Sequence, residues 1–197
     1  MKKKNLLLAS IAILGLTLIT IAQVPSYVPT NGLVGWWPFN GNANDDSGNN
    51  NNGTVNGATL TTDRFGNTNS AYQFNGVSNN IIVTSNSIFD INSGQSITIS
   101  CWLKHDLTSS NVGKYFISKY SGVPSTGQAF ALGTGFQGNG YTWYQIAVGN
   151  TNGREVRGDN GINDGQWHFI TSVLDMGNTT KLYVDGILDS TIAFPLS

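Results

Sequence analysis

Short stretches in which apolar and polar residues alternate run through the chain from residue 32 onward. In the segment 97–103, Ile97, Ile99, Cys101 and Leu103 fall on one side of an extended backbone and polar residues plus Trp102 fall on the other. Alternation with this period predicts β-strands that bury one face. Because the segments are short and turn-forming residues recur between them, the pattern favours two packed antiparallel sheets.

The same pattern predicts eleven strands and two tight turns. Asn75-Gly76 is an Asn-Gly turn between two of these strands, and Asp185-Gly186 is a two-residue hairpin turn whose residues tolerate positive φ angles. Past the N-terminal segment, no window has convincing helical periodicity. We therefore predict an all-β fold, a two-sheet antiparallel β-sandwich. The predicted strands are 33–39, 71–74, 80–84, 97–104, 114–119, 130–133, 141–149, 153–158, 166–175, 181–184 and 187–193.

The N-terminus has the features of a secretion signal. Three lysines precede a nearly apolar stretch, and small residues stand at the positions that a signal peptidase reads. We expect a signal peptide at 1–22, a linker at 23–31 and one domain at 32–197. A transmembrane anchor is the alternative, although no Lys or Arg follows the apolar stretch before Arg64.

Composition narrows the possible functions. The net charge is -1 and charged residues make up only 11% of the chain, so no basic face for nucleic acid is expected. The single cysteine, Cys101, cannot form an internal disulfide, and its place in an alternating strand predicts a buried thiol. After signal cleavage we expect no membrane span and a secreted or cell-surface protein.

A loop rich in Asn, Asp, Ser and Gly follows the aromatic segment at 36–39. Side-chain and backbone oxygens are the ligands that Ca²⁺ prefers. We therefore name Asn40, Asp45 and Asp46 as candidate calcium ligands. The alternative is a solvated loop held by Asx turns, because no strict metal-binding motif is present.

The segment 141–145 is the candidate ligand-binding face. Tyr141, Trp143 and Gln145 share one side of the predicted strand, where two rings could stack on sugar faces and an amide could bond hydroxyl groups. The alternative is that Trp143 packs beneath a loop. The other tryptophans considered, Trp36, Trp37, Trp102 and Trp167, are expected to be structural. Arg64 is expected to tether the loop before Tyr72 through a carboxylate, and a ligand-binding role is its alternative.

The sequence offers no convincing set of catalytic residues. Glycoside hydrolysis needs two carboxylates on either side of the scissile bond, and the single glutamate, Glu155, has no acidic partner at the second position on either side. His168 lies four residues after Asp164, but no nucleophile-elbow motif accompanies it. We predict a non-catalytic domain.

Several ordered motifs resemble those of bacterial laminin-G-like domains with the concanavalin A-like lectin/glucanase fold. They are the segment from Gly32 to Gly41, the acidic Ser-Gly loop that begins at Asp45, Asp63-Arg64-Phe65-Gly66, the run from Ser70 to Gly76, the strand 97–102, the segment 164–168 and the segment 182–186. The resemblance implies a jelly-roll sandwich, secretion, calcium at the rim and a role as a carbohydrate-binding or adhesion module. It also implies a closing strand beyond residue 197, so we expect a piece of a longer surface protein.

The resulting hypothesis is a calcium-supported carbohydrate-binding module that joins other domains of a longer extracellular protein and binds a carbohydrate or glycoprotein. A protein–protein adhesion or spacer domain without a sugar site is the main alternative. An accessory domain of a glycoside hydrolase, with its catalytic part elsewhere, is a weaker one.

Overall fold

The computed structural model describes residues 24–91, 95–106, 114–119, 129–134, 141–147, 154–175 and 177–193. Nearly all regular structure in these residues is β, and a single 3₁₀ turn at Ser87–Phe89 interrupts it. The strands are β1 Gly53–Asn56, β2 Thr59–Thr61, β3 Ala71–Gln73, β4 Asn80–Val83, β5 Ile97–Asp106, β6 Lys114–Lys119, β7 Ala129–Thr134, β8 Tyr141–Ala147, β9 Arg154–Gly161, β10 Asp164–Asp175, β11 Thr179–Val184 and β12 Ile187–Ala193.

Two four-stranded antiparallel sheets form the body of the domain. Sheet I has the strand order β12-β11-β10-β5, and sheet II has the order β6-β7-β8-β9. In sheet I, Ile170 of β10 lies opposite Cys101 of β5 on one side and Val184 of β11 on the other. Two antiparallel ribbons, β1-β4 and β2-β3, complete the described structure.

The hydrophobic core joins residues from both sheets. Sheet I contributes Ile170, Leu174, Leu182 and Val184, and sheet II contributes side chains that include Leu132. The predicted inward face of β5 is confirmed, since Ile97, Ile99, Cys101 and Leu103 all pack against this core. Burial raises the pKa of the Cys101 thiol to about 12, so the thiol stays protonated and behaves as a small apolar side chain. The remaining core residues are Ile91, Phe130, Val156 and Ile162.

The predicted Asp185-Gly186 hairpin turn is confirmed, whereas Asn75-Gly76 lies in a longer connection, because β3 and β4 each pair with another strand. Asp185 and Gly186 have φ angles of 52° and 80°, the left-handed conformation that a type I′ hairpin turn requires at both central positions. In the other turn, the Asn75 side-chain oxygen accepts hydrogen bonds from the backbone N–H groups of Val77, Ser78 and Asn79. These bonds close the connection between β3 and β4.

The predicted strand at 33–39 is wrong, and two short strands were missed. No strand is present at 33–39, because Pro38 lacks an N–H and Phe39 has a φ of 58°, which ends any extended run. The missed strands are β1 and β2, which contain Asn and Thr where the pattern indicated only loop. The other ten predicted strands correspond to β3–β12.

Two predictions fall largely outside the described residues. The signal peptide at 1–22 lies entirely outside them, and so does the end of the chain after residue 193. Within the described part, no helix is both long enough and apolar enough to span a bilayer.

Candidate functional site

The Asn-rich loop is organised around the carboxylate of Asp45, which is only 7% exposed. Oδ1 accepts hydrogen bonds from the backbone N–H groups of Trp36 and Ser47, each at 2.9 Å. Oδ2 accepts from the Ser47 hydroxyl and the Asn51 N–H, also at 2.9 Å. Burial by itself raises the pKa of Asp45, but these hydrogen bonds outweigh it and hold the pKa below its ordinary value of 3.8. Asp45 is therefore a buried, ionised anchor for its own loop.

Side chains of this loop also replace the partner strand that segment 33–37 lacks. The Asn49 amide donates to the Leu33 carbonyl at 2.9 Å, and the Asn51 amide donates to the Val34 carbonyl at 2.8 Å. With the bond from the Trp36 N–H to Asp45, side chains of the loop bond three backbone groups of this segment without a β-ladder. The segment is therefore tied to the loop and belongs to no sheet.

Trp37 joins the loop to the connection between β4 and the 3₁₀ turn. Its indole lies against Gly35, where an added Cβ would fall 2.1 Å from the ring. The indole N–H donates to the Asn51 carbonyl at 2.9 Å, and the ring lies 6.3 Å from that of Phe89, centroid to centroid. A hydrogen bond of 3.3 Å from the Asn86 amide to the Asn51 side-chain oxygen adds a second link. These contacts hold two chain segments beside each other.

An open groove of about 420 Å³ lies between these two segments, and we call it the rim groove. Eight of its nine lining residues carry an amide or a hydroxyl group, and none carries a charge. The lining residues are Asn49, Asn50, Asn51, Asn52, Val83, Thr84, Ser85, Asn86 and Ser87.

Several polar groups of the rim groove keep hydrogen-bonding capacity for a ligand. Within the described residues, the side chains of Asn50, Thr84, Ser85 and Ser87 make no hydrogen bond. Asn50 has a φ of 58°, a conformation that asparagine tolerates. The groove segment 83–87 was missed in the sequence analysis. Its sequence signal is the run of four polar residues at 84–87 directly after a strand.

The candidate calcium ligands do not form a ligand set in the described contacts. A carboxylate accepts at about four positions, and all four positions of Asp45 face N–H or O–H donors. Asn40 is exposed, and the described role of Asp46 is a backbone hydrogen bond from its N–H to the Trp36 carbonyl. The geometry at Asp45 therefore argues against a cation there, and the calcium site expected from the sequence is untested. Among the described residues, no group of three or more His, Cys, Asp or Glu could hold a metal.

The predicted ligand face at Tyr141, Trp143 and Gln145 lies on β8, a central strand of sheet II. The strand itself is confirmed. The side chains of β8 lie outside the described part of the structure, so a sugar site on this face remains a prediction.

An aromatic and cationic cluster on the outer face of sheet I was not predicted. The Arg64 guanidinium carbon lies 4.1 Å from the ring centroid of Phe65 and 4.4 Å from that of Trp102. Trp102 is 42% exposed and stacks at 5.2 Å on Phe169, its neighbour across the β5–β10 pair. The expected bidentate pair of Arg64 with a carboxylate is absent from the described contacts, where the guanidinium interacts with the Asp63 carboxylate only through its charge, and Trp102 is not a core residue. The alternation that placed Cys101 inward already placed Trp102 outward.

His168, in the first half of β10, lies between two carboxylates. Its Nδ1 is 2.8 Å from Asp185 Oδ2, and its Nε2 is 3.0 Å from Asp164 Oδ1. Partial burial lowers the pKa of His168, but the hydrogen bonds and charges of Asp185 and Asp164 outweigh it and raise the pKa above its ordinary value of 6.5. Since both ring nitrogens are engaged, no nitrogen is available to activate a serine, and the arrangement acts as a clip on the β11–β12 hairpin turn.

A family model described as the Concanavalin A-like lectin/glucanases superfamily matches residues 74–196, more than half of the chain. The chain belongs to this superfamily. The match covers sheets I and II but begins after the Asn-rich loop and Arg64. No curated protein matches the sequence.

Solved structures support the concanavalin A-like fold. The binding domain of Paraclostridial Mosquitocidal Protein 1 aligns with a TM-score of 0.57 and 18% identity over 77% of this chain and 37% of that chain. The binding domain of botulinum neurotoxin serotype D aligns with a TM-score of 0.55 and 20% identity over 76% of this chain and 36% of that one. This chain therefore spans little more than a third of the length of these neighbours, and at such identities the likeness shows the fold.

Proposed function

We propose that this concanavalin A-like domain is a non-catalytic carbohydrate-binding module of an extracellular protein, with the rim groove as its sugar site. The observation that carries the proposal is the uncharged lining of the groove, in which amide and hydroxyl groups predominate. Neutral sugars present hydroxyl groups that both donate and accept, which such a lining complements. The groove volume falls within the range of about 300–1,000 Å³ typical of small-ligand sites.

The neighbours support a binding role. Both structures compared above are named as binding domains, and another similar structure has a title that ties cell entry of botulinum neurotoxin type C to two ganglioside molecules. A further similar structure is titled as a complex of a neurotoxin binding domain with rat synaptotagmin II, which supports the alternative of a protein ligand. The arrangement of His168 gives no support to hydrolysis.

A glycan array probed with the purified chain tests the proposal. We expect binding to neutral oligosaccharides and an affinity loss of about tenfold in the double variant Asn50→Gly/Ser87→Ala, because each lost hydrogen bond costs about 0.5–1.5 kcal/mol. Glycine keeps the backbone conformation at residue 50 and removes only the amide. Asn44→Ala is the matched control, since Asn44 is exposed in the same loop and does not line the groove.

Two results would contradict the groove assignment. One is equal binding by the double variant and the wild type, and the other is equal loss in Asn44→Ala. Loss of glycan binding in Trp143→Ala alone would instead place the site on β8, at the face of Tyr141, Trp143 and Gln145 that the sequence predicts. Binding to no glycan would favour the adhesion or spacer hypothesis.

A further inference from the structure

The loop that carries Arg64 is held by its own hydrogen bonds. The Asp63 carboxylate accepts from the Phe65 N–H at 2.8 Å, from the Asn67 N–H at 2.9 Å and from the Asn67 amide at 3.0 Å. A backbone hydrogen bond from Ser70 to Thr61 closes the loop at the β2–β3 ribbon. Arg64 and Phe65 are therefore presented from a pre-organised loop.

Two aromatic rings lie close to the Arg64 guanidinium. Phe65 and Trp102 each lie within about 6 Å of the cation, the range in which a ring face attracts a positive charge. The N–H donors of arginine point outward in the plane of the group, so stacking does not use them. The charge of Arg64 helps to lower the pKa of the neighbouring Asp63 carboxyl, but among the described residues no hydrogen bond or ion pair engages these donors, and the hydrogen bonds of Asp63 go to its own loop.

We propose that Arg64, Phe65 and Trp102 form a second binding site, which takes a sugar residue bearing one carboxylate or sulfate group. The oxyanion pairs with the free edge of the guanidinium, a bidentate geometry that suits both groups. Phe65 is 72% exposed and offers a flat apolar surface on which the sugar ring can pack.

The surroundings favour a single acidic sugar over a polyanion. The chain has 10 Lys and Arg among 197 residues and a net charge of -1, so it lacks the positive field that attracts nucleic acids. Lys104 is exposed two residues after Trp102 on the same face of β5, which adds one positive charge beside the site. The choice of a saccharide over other carboxylates rests on the proposed carbohydrate-binding function.

Calorimetric titration of the purified chain tests this site with three probes: a galacturonate oligosaccharide, its methyl ester and a sulfated galactose oligosaccharide. We expect the acidic probes to bind and the neutral ester to bind about tenfold more weakly, as the loss of a charge-assisted bidentate contact implies. The stronger of the two acidic probes identifies the anion.

Variants separate the stacked arginine from simple charge attraction. Arg64→Lys keeps the charge but loses the planar group, and we expect an affinity loss of about tenfold for the acidic probes. Lys104→Gln removes the neighbouring solvated charge but no planar group, and we expect it to lower the affinity by no more than about twofold. The groove variant Asn50→Gly/Ser87→Ala should bind the acidic probes like the wild type, so failure of the rim groove and failure of this site are distinguishable.

The proposal is overturned if neither acidic probe binds, if the ester binds equally well or if Arg64→Lys binds like the wild type. A lower melting temperature of Arg64→Lys with unchanged affinity would also overturn it, because the stack would then serve only to fasten the loop to sheet I.

Discussion

Asp45 shows how one carboxylate can organise a loop that has almost no apolar residues. It is buried, and it gathers donors from residues nine positions before it to six positions after it. We predict that Asp45→Asn lowers the free energy of unfolding by about 3 kcal/mol, because the new NH₂ group faces buried donors and leaves them unsatisfied. Urea denaturation measures this. Asp46→Asn removes the neighbouring charge as a control, and an equal loss in both variants would contradict the anchor role.

The hydrogen bonds around Asp45 also determine whether its carboxylate can bind calcium. Because donors already fill the acceptor positions of Asp45, we predict that neither calcium nor a chelator changes the melting temperature of the chain. Differential scanning calorimetry with each additive checks this. A midpoint that rises with calcium concentration would restore the ligand set of Asn40, Asp45 and Asp46 predicted from the sequence, since a ligand that binds only the native state must stabilise it.

Thr180 is buried like Asp45, but its polar side chain organises no hydrogen bonds in the described structure. Its side chain is 1% exposed, and no hydrogen-bond partner of its hydroxyl is present in the described structure. We predict that Thr180→Val raises the free energy of unfolding by about 1–2 kcal/mol, because a methyl group of similar shape replaces a desolvated hydroxyl. Thr191→Val on the exposed side of β12 controls for strand propensity, and a gain confined to that control would refute the prediction.

At the scale of elements, segment 33–39 shows that an alternating pattern alone does not predict whether a segment joins a sheet. Alternation predicted a strand here, but the hydrogen-bond partners of its backbone are side chains of Asp45, Asn49 and Asn51, 9 to 17 residues away. A pattern with period two cannot distinguish a partner strand from a loop that supplies the same acceptors and donors. The Asp185-Gly186 turn was predictable because its chemistry is local.

The hairpin clip at His168 makes the stability of sheet I depend on pH. The raised pKa of His168 contributes stability that is fully present below 6.5 and is lost as pH rises through the folded-state pKa. Hydrogen bonds from Gln166 and His168 lower the pKa of Asp164. Burial raises the pKa of Asp185, but hydrogen bonds from Phe169 and His168 outweigh it and lower that pKa below its ordinary value. Both carboxylates therefore contribute stability that is fully present above pH 3.8. The clip is therefore strongest between pH 3.8 and 6.5.

We predict that the wild type exceeds His168→Gln in melting temperature most clearly near pH 5.5 and that the difference shrinks toward pH 9. Thermal melts across this range measure it, and NMR titration of the imidazole gives the pKa directly. Asp185→Asn should lower that pKa, since it removes one attracting charge. A melting-temperature difference that does not change with pH would show that His168 stabilises the turn without being charged.

At the scale of the whole molecule, the sandwich was predictable and the candidate sites only in part. Burial on one face leaves a period of two in β5, β10 and β11, and that period is readable without coordinates. The rim groove depends on two segments separated by more than thirty residues, which Trp37 and Asn86 bring together. The arginine stack depends on a loop that lies over a different strand, and no local pattern encodes such a contact.

Because both sheets share one core, we expect a core deletion to weaken the whole domain at once. Leu182 of β11 is fully buried among residues of both sheets, and Leu182→Ala should cost about 2–5 kcal/mol of unfolding free energy. Leu188→Ala on β12 is the matched control, because Leu188 is 49% exposed and its truncation should cost less than about 1 kcal/mol. Tryptophan fluorescence and far-ultraviolet circular dichroism should report one coincident urea transition in each variant. Two separated transitions in Leu182→Ala would mean that the sheets unfold independently and that the shared core does not unite them.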